Sequence, residues 1–398
     1  MEPHSANNMW SSLKSLKARL VLEMKVLDSG QNKQIQHLTE DDHRTIKEKT
    51  LMKIENVVEQ VLADVAQGIS PSFVYGSTNS WSDVSFVAGK GLTINGTKTT
   101  SVRFESFQSV RKFGLLMKVL SVMYKLVQTD KYCTKRDIFY QDTSFYGTQS
   151  ILDGIVDNIS CMLEIPRWHL HVLATLKGCI AGNLTFQDAE DNLVDCQNTQ
   201  MGVLVPAHVD AIHHITTEAE FILVIEKDAT FQKLLDNKFH EKLYPCILIT
   251  GKGFPDMNTR LLLHKLWNNF QIPVLGLVDA DPHGIEIMAT YKFGSRSLAF
   301  EAQHLSVPCM QWLGILPIDI QRLGIPESVL TPMTKTDISK AVYLLDRPYM
   351  KYYPAWTREI EELLKTQKKA EIQSLDSISS AFLCDVYLPS KIRCGGWI

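Results

Sequence analysis

The sequence predicts a mixed α/β fold in which a helical module precedes a domain built on a parallel β-sheet. Residues 221–226 and 273–279 form two apolar runs without the alternation of a half-exposed strand, which is typical of buried parallel strands. Upstream, residues 108–128 and 149–163 carry apolar side chains at helical spacing. Both strand-like runs end in carboxylates, and open α/β sheets bind ligands beyond the carboxyl ends of their strands.

Length and charge set only broad limits. The 398 residues suffice for about two or three domains, and the net charge of −3 gives no global sign of nucleic-acid binding. One stretch, residues 100–136, has eight basic and two acidic side chains, a net of plus six. This strip is either a DNA-contacting surface or an ordinary solvated helix face. Its basic residues are Arg103, Arg111, Lys112, Lys118, Lys125, Lys131, Lys135 and Arg136.

Several classes of protein are disfavoured. The N-terminus lacks the charged-then-apolar pattern of a secretory signal, and no apolar run approaches the roughly 18 residues of a membrane span. The eight cysteines include no Cys-x-x-Cys pair, so we expect reduced and mostly buried thiols. We therefore expect an intracellular protein without a membrane partner.

The N-terminal third is predicted to be loosely organised. Residues 1–38 are polar and without a clear period, which suggests a flexible arm. A helix follows within residues 39–70, where Thr39 and Asp42 can cap the start and Gly68 can end it. Its apolar stripe either packs on its own domain or docks onto a partner protein.

Residues 71–104 are rich in Ser, Thr, Asn and Gly, and we expect a linker of loops or short hairpins. Gly91 and Gly96 have the spacing of a P-loop, but Thr97 and Lys98 follow in the wrong order. We therefore expect no nucleotide site here, and any ATP would be brought by a partner.

Residues 105–205 are predicted to form a DNA-binding module. Between the two long helices lies a short one, and strand-like runs at residues 169–175 and 178–184 follow. Three helices with a β-wing make a winged helix, which places a helix against DNA.

The short helix of this module carries candidate chemistry. Thr134 with Asp137 resembles a capping box, and Arg136 and Tyr140 are four residues apart, on one face. A guanidinium can bind a phosphate through two hydrogen bonds, and a phenolate oxygen can attack phosphorus when its charge is stabilised. The alternative is a structural tyrosine at a helix surface.

The strand ends carry a candidate metal site. If the strands at 221–226 and 273–279 are neighbours, Glu226 and Asp279 meet at one edge of the sheet, and Asp281 lies on the same face as Asp279. Carboxylate oxygens near phosphates are the ligands that Mg²⁺ prefers. The pattern therefore predicts a magnesium site.

Four segments in one order together resemble the meiotic recombination transesterases, the eukaryotic relatives of the topoisomerase VI A subunit. They cover roughly residues 105–398, and the Gly395-Gly-Trp-Ile398 ending adds to the match. The segments are Arg136-Asp-Ile-Phe-Tyr140, Glu226-Lys-Asp-Ala-Thr-Phe231, Thr250-Gly-Lys-Gly-Phe-Pro-Asp256 with Thr259-Arg260, and Val278-Asp-Ala-Asp-Pro-His-Gly284.

The resemblance implies a winged-helix domain of the catabolite-activator type over residues 105–205, then a Toprim domain with a Rossmann-like parallel sheet and C-terminal helices over residues 215–398. It implies a DNA-cleaving enzyme like the type IIB DNA topoisomerases, which makes the double-strand breaks that initiate meiotic recombination by Mg²⁺-dependent tyrosine transesterification and leaves a 5′-phosphotyrosyl link. The implied site residues are Tyr140 as nucleophile, Arg136 beside the phosphate, Glu226, Asp279 and Asp281 as Mg²⁺ ligands, and Lys177 and Phe254 as DNA contacts.

The implied partners are double-stranded DNA, a second copy of the chain and a topoisomerase VI B-like subunit, together a heterotetramer. Other meiotic break-formation proteins and a place on meiotic chromosomes in the nucleus follow from the same resemblance. Two other functions stay open: a Toprim nuclease that uses water and does not need Tyr140, and a non-catalytic DNA-binding scaffold subunit.

Overall fold

The computed structural model describes residues 10–28, 40–78, 80–96, 98–173, 175–242 and 245–398. Within them, no helix is both long and apolar enough to cross a membrane. The helices are α1 (Ser11–Asp28), α2 (Glu40–Ala66), α3 (Val110–Gln128), α4 (Lys135–Gln141), α5 (Thr143–Tyr146), α6 (Gln149–Leu163), α7 (Asp228–Asp236), α8 (Phe239–Lys242), α9 (Met257–Phe270), α10 (Pro282–Phe293), α11 (Ala302–Leu305), α12 (Pro317–Arg322), α13 (Lys335–Leu345), α14 (Pro354–Thr366) and α15 (Leu388–Cys394).

The strands are short outside one large sheet. They are β1 (Ser72–Gly76), β2 (Val84–Val87), β3 (Gly91–Ile94), β4 (Thr99–Arg103), β5 (Cys133–Thr134), β6 (Val172–Leu173), β7 (Cys179–Gly182), β8 (Thr185–Gln187), β9 (Leu193–Asp195), β10 (Val203–Leu204), β11 (His213–Thr216), β12 (Phe221–Ile225), β13 (Cys246–Thr250), β14 (Val274–Leu277), β15 (Gln311–Gly314), β16 (Thr331–Pro332) and β17 (Lys368–Lys369).

A helical core forms in the N-terminal half. Helices α3 and α6, both predicted from their periodicity, pack their apolar stripes together, and Leu116 and Ile159 are fully buried between them. Ile54 of α2 and Ile138 of α4 belong to the same core, as does the antiparallel pair of β1 and β4. This helical core carries the short helix with Arg136 and Tyr140.

A sheet core forms in the C-terminal half. Its sheet has the strand order β10-β7-β13-β12-β14-β15, in which β12 runs parallel to both β13 and β14. All five residues of β12 and of β13 are buried, because helices cover both faces of a parallel sheet. The predicted mixed α/β class is confirmed, with the parallel strands at the positions that the apolar runs indicated.

The two strand-like runs that were predicted to form the β-wing do not pair with each other. Strand β6 pairs in parallel with β5, whereas β7 lies inside the large sheet, antiparallel to β13. All four residues of β7 are buried, so this run fits the middle of a covered sheet and would leave a solvent-exposed wing too apolar. The sheet core therefore takes in chain well before the predicted domain boundary at residue 205.

The predicted flexible arm is wrong for the part that the structure describes. Helix α1 buries Leu13, Leu16 and Leu20 in the sheet core, and the ring of Trp10 stacks on Phe221 at 6.5 Å between centroids. These four side chains are spaced three or four residues apart, as in a helix. A pattern of only four positions is too weak to predict a helix from sequence. Residues 1–9 and 29–39, including the predicted cap Thr39, lie outside the described residues.

Residues 71–104 are more than a linker. Strands β2 and β3 form a hairpin between β1 and β4. Val84 and Leu92 of the hairpin are buried in the sheet core, whereas Phe73 and Val102 of the outer pair are buried in the helical core. The segment therefore joins the two cores by contributing to both.

Candidate active site

The short helix α4 presents Arg136 and Tyr140 on one exposed face. Its start is fixed by the predicted capping box: Thr134 Oγ1 accepts from the Asp137 N–H at 3.2 Å, and Asp137 Oδ2 accepts from the Thr134 N–H at 3.0 Å. Ile138 is fully buried and anchors the opposite face, while Tyr140 is 71% exposed. The helix therefore displays a phenol and a guanidinium one turn apart on a rigid base.

Helix α4 is also tied to its surroundings by charge. Lys135 Nζ lies 2.9 Å from Asp157 Oδ1 on α6, and Arg167 Nη1 lies 3.7 Å from the same oxygen. Burial lowers the pKa of Lys135, and Asp157 opposes that shift. Arg167 Nε in turn donates to Met257 Sδ on α9 at 3.0 Å. The contacts link the tyrosine helix to the sheet core.

The two exposed groups have no competing polar partners among the described residues. The Tyr140 ring meets Phe139 edge to face at 5.7 Å between centroids. Within the part of the chain that the structure describes, neither the Tyr140 hydroxyl nor the Arg136 guanidinium forms a hydrogen bond or ion pair. Both are available to a substrate.

The carboxylates at the strand ends do come together. Glu226 directly follows β12 and Asp279 lies two residues after β14, and these strands pair with Ile225 opposite Leu277. The Asp279 N–H donates to Glu226 Oε2 at 2.8 Å, and the two residues are 9% and 4% exposed. The prediction that neighbouring strands unite them is confirmed.

Burial and mutual repulsion favour the binding of positive charge at this pair. Burial, together with the charges of Asp279 and Asp281, raises the pKa of Glu226 to about 7. Burial also raises the pKa of Asp279, although hydrogen bonds from Lys227 and from the backbone N–H of Ile372 oppose it. A bound cation would stabilise both carboxylates in their charged form.

Helix α10 packs against one side of Glu226 and Asp279, which we call the acidic pair. A Cβ on Gly284 would lie 2.4 Å from the carbonyl oxygen of Asp279 and 3.1 Å from Glu226 Oε2, so only glycine permits this approach. Asp281 caps the helix, because its Oδ1 accepts from the Gly284 N–H at 2.7 Å. One oxygen of Asp281 is thus engaged, while its charge still acts on Glu226 and Asp279.

The pair fits magnesium better than a metal held by protein alone. In the described ranges, no three His, Cys, Asp or Glu side chains form a group that could hold a metal ion. Mg²⁺ commonly binds through one or two carboxylates and completes its shell with water and substrate phosphates. Two buried, hard oxygen ligands with raised pKa values suit that mode.

The two predicted DNA contacts, Lys177 and Phe254, lie near this edge of the sheet. The Gly253 N–H donates to the carbonyl oxygen of Glu226 at 2.8 Å, which brings the loop with Phe254 over the strand end, and Phe254 is 44% exposed. Lys177 is half-buried just before β7, and its N–H donates to Asp256 Oδ2 at 3.1 Å. Their roles, like those of the other five site residues, stay predictions.

Two residues at the site escaped the sequence analysis. Lys227 Nζ lies 2.8 Å from Asp279 Oδ2, although its position next to Glu226 was a visible signal. Asp256 caps α9 through Oδ1, and its Oδ2 accepts from the N–H groups of Lys177 and Gly178. No sequence pattern links residues 177 and 256, since their contact depends on the insertion of β7 into the sheet.

Comparison with known proteins defines the class. Residues 221–392 match the model of the Toprim domain shared by the topoisomerase 6 A subunit and Spo11, and residues 111–172 match the model of type IIB DNA topoisomerase. The first matched segment contains Glu226 and Asp279, and the second contains helix α4 with Arg136 and Tyr140. The class is therefore the type IIB DNA topoisomerases.

Individual proteins of this class are similar to the chain over most of its length. The meiotic recombination protein SPO11 of Mus musculus is 48% identical over 88% of this chain and 89% of its own, and the Homo sapiens protein is 47% identical over the same shares. The A subunit of DNA topoisomerase 6 from Arabidopsis thaliana is 36% identical over 87% of this chain and 81% of its own.

This chain belongs to the family of topoisomerase VI A subunits and Spo11 meiotic recombination proteins. The predicted resemblance and enzyme class are confirmed, and the predicted function is confirmed at the level of this family. Membership implies DNA binding, and Toprim domains are typically metal-dependent.

Proposed function

We propose that the chain is the catalytic subunit that makes DNA double-strand breaks at the start of meiotic recombination. The Tyr140 oxygen attacks a DNA phosphorus, a bond from phosphorus to that oxygen forms, and the bond from phosphorus to the 3′ oxygen breaks. The phenolic proton is lost and the 3′ oxygen gains one, so the products are a 5′-phosphotyrosyl link and a free 3′-hydroxyl.

The observation that carries this proposal is the face of α4. A 71% exposed phenol stands one turn from a guanidinium that forms no ion pair with the described residues, on a helix held by a capping box and a buried isoleucine. Arg136 can bind the scissile phosphate through two hydrogen bonds and offset the charge that grows during attack. A merely structural tyrosine would bury its ring or satisfy its hydroxyl.

Glu226 and Asp279 would hold Mg²⁺, with Asp281 as a further acidic neighbour. The ion would supply positive charge beside the phosphate and fix the sugar-phosphate backbone. This support comes from the raised pKa of both carboxylates, from their burial and from the oxygen-only ligand set.

The active unit is a homodimer on double-stranded DNA, in which the tyrosine of one copy acts with the acidic pair of the other. Tyr140 follows Ile138 of the helical core and Glu226 follows Ile225 of the sheet core, and among the described residues the Tyr140 hydroxyl forms no hydrogen bond with Glu226 or Asp279. A topoisomerase VI B-like subunit completes a heterotetramer, and it works on meiotic chromosomes in the nucleus with other break-formation proteins.

The competing functions differ in what they require. A water-using Toprim nuclease needs the acidic pair and no tyrosine, and a scaffold needs neither. The exposed pair of Arg136 and Tyr140 favours transesterification over both, because its geometry has no evident structural purpose.

The test is a covalent-adduct assay on 3′-end-labelled duplex DNA with Mg²⁺ and the B-like partner, denatured before electrophoresis, so that the label lies on the fragment joined to the protein. Tyr140→Phe should abolish the protein-linked 5′ end. The matched control is Tyr132→Phe, another exposed phenol of the same domain, which should retain it. Cleavage with free 5′ ends in Tyr140→Phe would favour the nuclease, and equal adduct in both variants would refute the assignment.

A further inference from the structure

Lys227 lies across the acidic edge of the sheet with three polar partners. Its Nζ is 2.8 Å from Asp279 Oδ2, 2.9 Å from Glu371 Oε2 and 3.2 Å from Gln373 Oε1. An ammonium has three N–H donors, so all are used. One of them occupies an oxygen of a residue proposed to bind the metal.

The two carboxylates that share Lys227 lie in different surroundings. The Asp279 side chain is 6% exposed, whereas that of Glu371 is 64% exposed. A buried carboxylate without a compensating charge is far more costly than an exposed one. Without a metal, the ammonium is therefore needed most at Asp279, and Glu371 can lose it at little cost.

The backbone keeps both partners within reach of one lysine. The Ile372 N–H donates to Asp279 Oδ1 at 2.8 Å, and Ala280 and Ala370 exchange two backbone hydrogen bonds at 2.9 and 3.3 Å. Glu371 stands between these two contacts, so its position relative to Asp279 is fixed. Lys227 can therefore release Asp279 and keep Glu371 and Gln373 by side-chain rotation alone.

We propose that Lys227 is a built-in competitor of the divalent ion, which holds Asp279 in the metal-free protein and withdraws to Glu371 and Gln373 when the ion binds. This inference rests on the proposed metal site at Glu226 and Asp279. Lys227 then sets the affinity of the site for the ion, and Glu371 lowers the cost of displacing the lysine.

The test is calorimetric titration of Mn²⁺ into the full-length, DNA-free protein. Lys227→Gln should bind Mn²⁺ about tenfold more tightly, since a competitor is removed, and Glu371→Gln should bind it several-fold more weakly. Glu371 is exposed, so its variant tests the idea even if Lys227→Gln folds poorly. The matched control is Lys233→Gln, which loses a lysine paired with Asp376 away from the acidic pair.

The double variant separates competition from simple charge effects. If Lys227 competes for Asp279, Glu371→Gln should have no effect in the Lys227→Gln background. Additive effects, or affinities equal to wild type, would overturn the inference while leaving the metal site intact. Asp279→Asn serves as the site control: if wild type binds no more Mn²⁺ than this variant, the metal site and the inference fall together.

Discussion

At the residue scale, the proposed catalytic side chains and the proposed metal ligands differ in their exposure to solvent. Tyr140 and Arg136 stand exposed on a short helix, where a DNA duplex can reach them. Glu226 and Asp279 are buried, where low polarity strengthens their attraction for a cation. The sequence predicted these residues, but their exposure depends on how the two cores pack and could not be predicted from spacing.

Arg136 should act through the shape of its guanidinium as well as its charge. Arg136→Lys keeps the charge but cannot bind two phosphate oxygens in one plane, so we expect adduct formation to slow by about 100-fold. Single-turnover rates on end-labelled DNA measure this. DNA affinity should change by less than about threefold, and a wild-type rate in the variant would contradict the role.

Glu301 should make stability depend on pH. Its side chain is buried, Oε1 accepts from Ser160 Oγ at 2.9 Å, and burial raises its pKa to about 6 from an ordinary value of 4.5. The folded protein therefore holds this proton more tightly than the unfolded chain does. Ionisation of Glu301 costs stability, and the cost grows as pH rises from about 4.5 to about 6.

Glu301→Gln removes this titration. Relative to the variant, wild type should lose about 1.5 kcal/mol of unfolding free energy between pH 4.5 and pH 6.5, and little more above it. Urea unfolding of both proteins across this range measures the difference. Parallel stability curves would show that Glu301 does not titrate with a raised pKa.

At the element scale, strong patterns were predictable and short ones were not. Helix α6 and strand β12 lie where their apolar spacing indicated, because many residues carry each pattern. Strand β7 has only four residues, and a run this short does not show from sequence that its partner is β13 inside the large sheet. Helix α1 was not predicted, because only Trp10 and a few leucines show helical spacing within an otherwise polar segment.

Helix α3 offers an ordered basic stripe. Arg111, Lys118 and Lys125 are seven residues apart, on one face, and all three are exposed. None of them forms an ion pair with another described residue. Whether this stripe touches DNA stays a prediction.

If the basic stripe of α3 contacts DNA, changing Arg111, Lys118 and Lys125 to Gln should weaken DNA binding equally across sequences. A plot of log affinity against log salt concentration should become less steep. Its slope should shrink in magnitude by about 2.7, because each of three lost phosphate contacts contributes about 0.9. Salt-dependent fluorescence anisotropy gives this slope. Lys365→Gln, an exposed lysine of α14, is the control, and an unchanged slope in the triple variant would make the stripe merely solvated.

At the scale of the whole molecule, the proposed nucleophile Tyr140 lies on a helix of the helical core, and Glu226 and Asp279 lie at the edge of the sheet core. Arg167 joins the cores, because it lies 3.7 Å from Asp157 Oδ1 on α6 and donates to Met257 Sδ on α9. Helix α2 packs Ile54 and part of Val57 and Val61 on the helical core, so packing on its own domain accounts for one face of its apolar stripe.

The C-terminal end of the α2 stripe is exposed. Leu62 and Val65 are 63% and 59% exposed and lie on the last turns of the helix. If a B-like partner docks there, Leu62→Glu with Val65→Glu should abolish co-purification with it, while circular dichroism stays unchanged. Met52→Glu, an exposed apolar residue further up the helix, is the control. Retained binding in the double variant would place the partner elsewhere.

The central claim is that Tyr140 itself becomes joined to DNA. Trypsin cuts after Arg136 and Arg167, so one peptide, residues 137–167, carries both Tyr140 and the buried Tyr146. The measurement is mass spectrometry of this peptide after cleavage of DNA and nuclease trimming. A nucleotide attached to Tyr140 is the predicted result. A nucleotide on any other residue, or cleaved DNA with free 5′ ends and an unmodified peptide, would contradict the account.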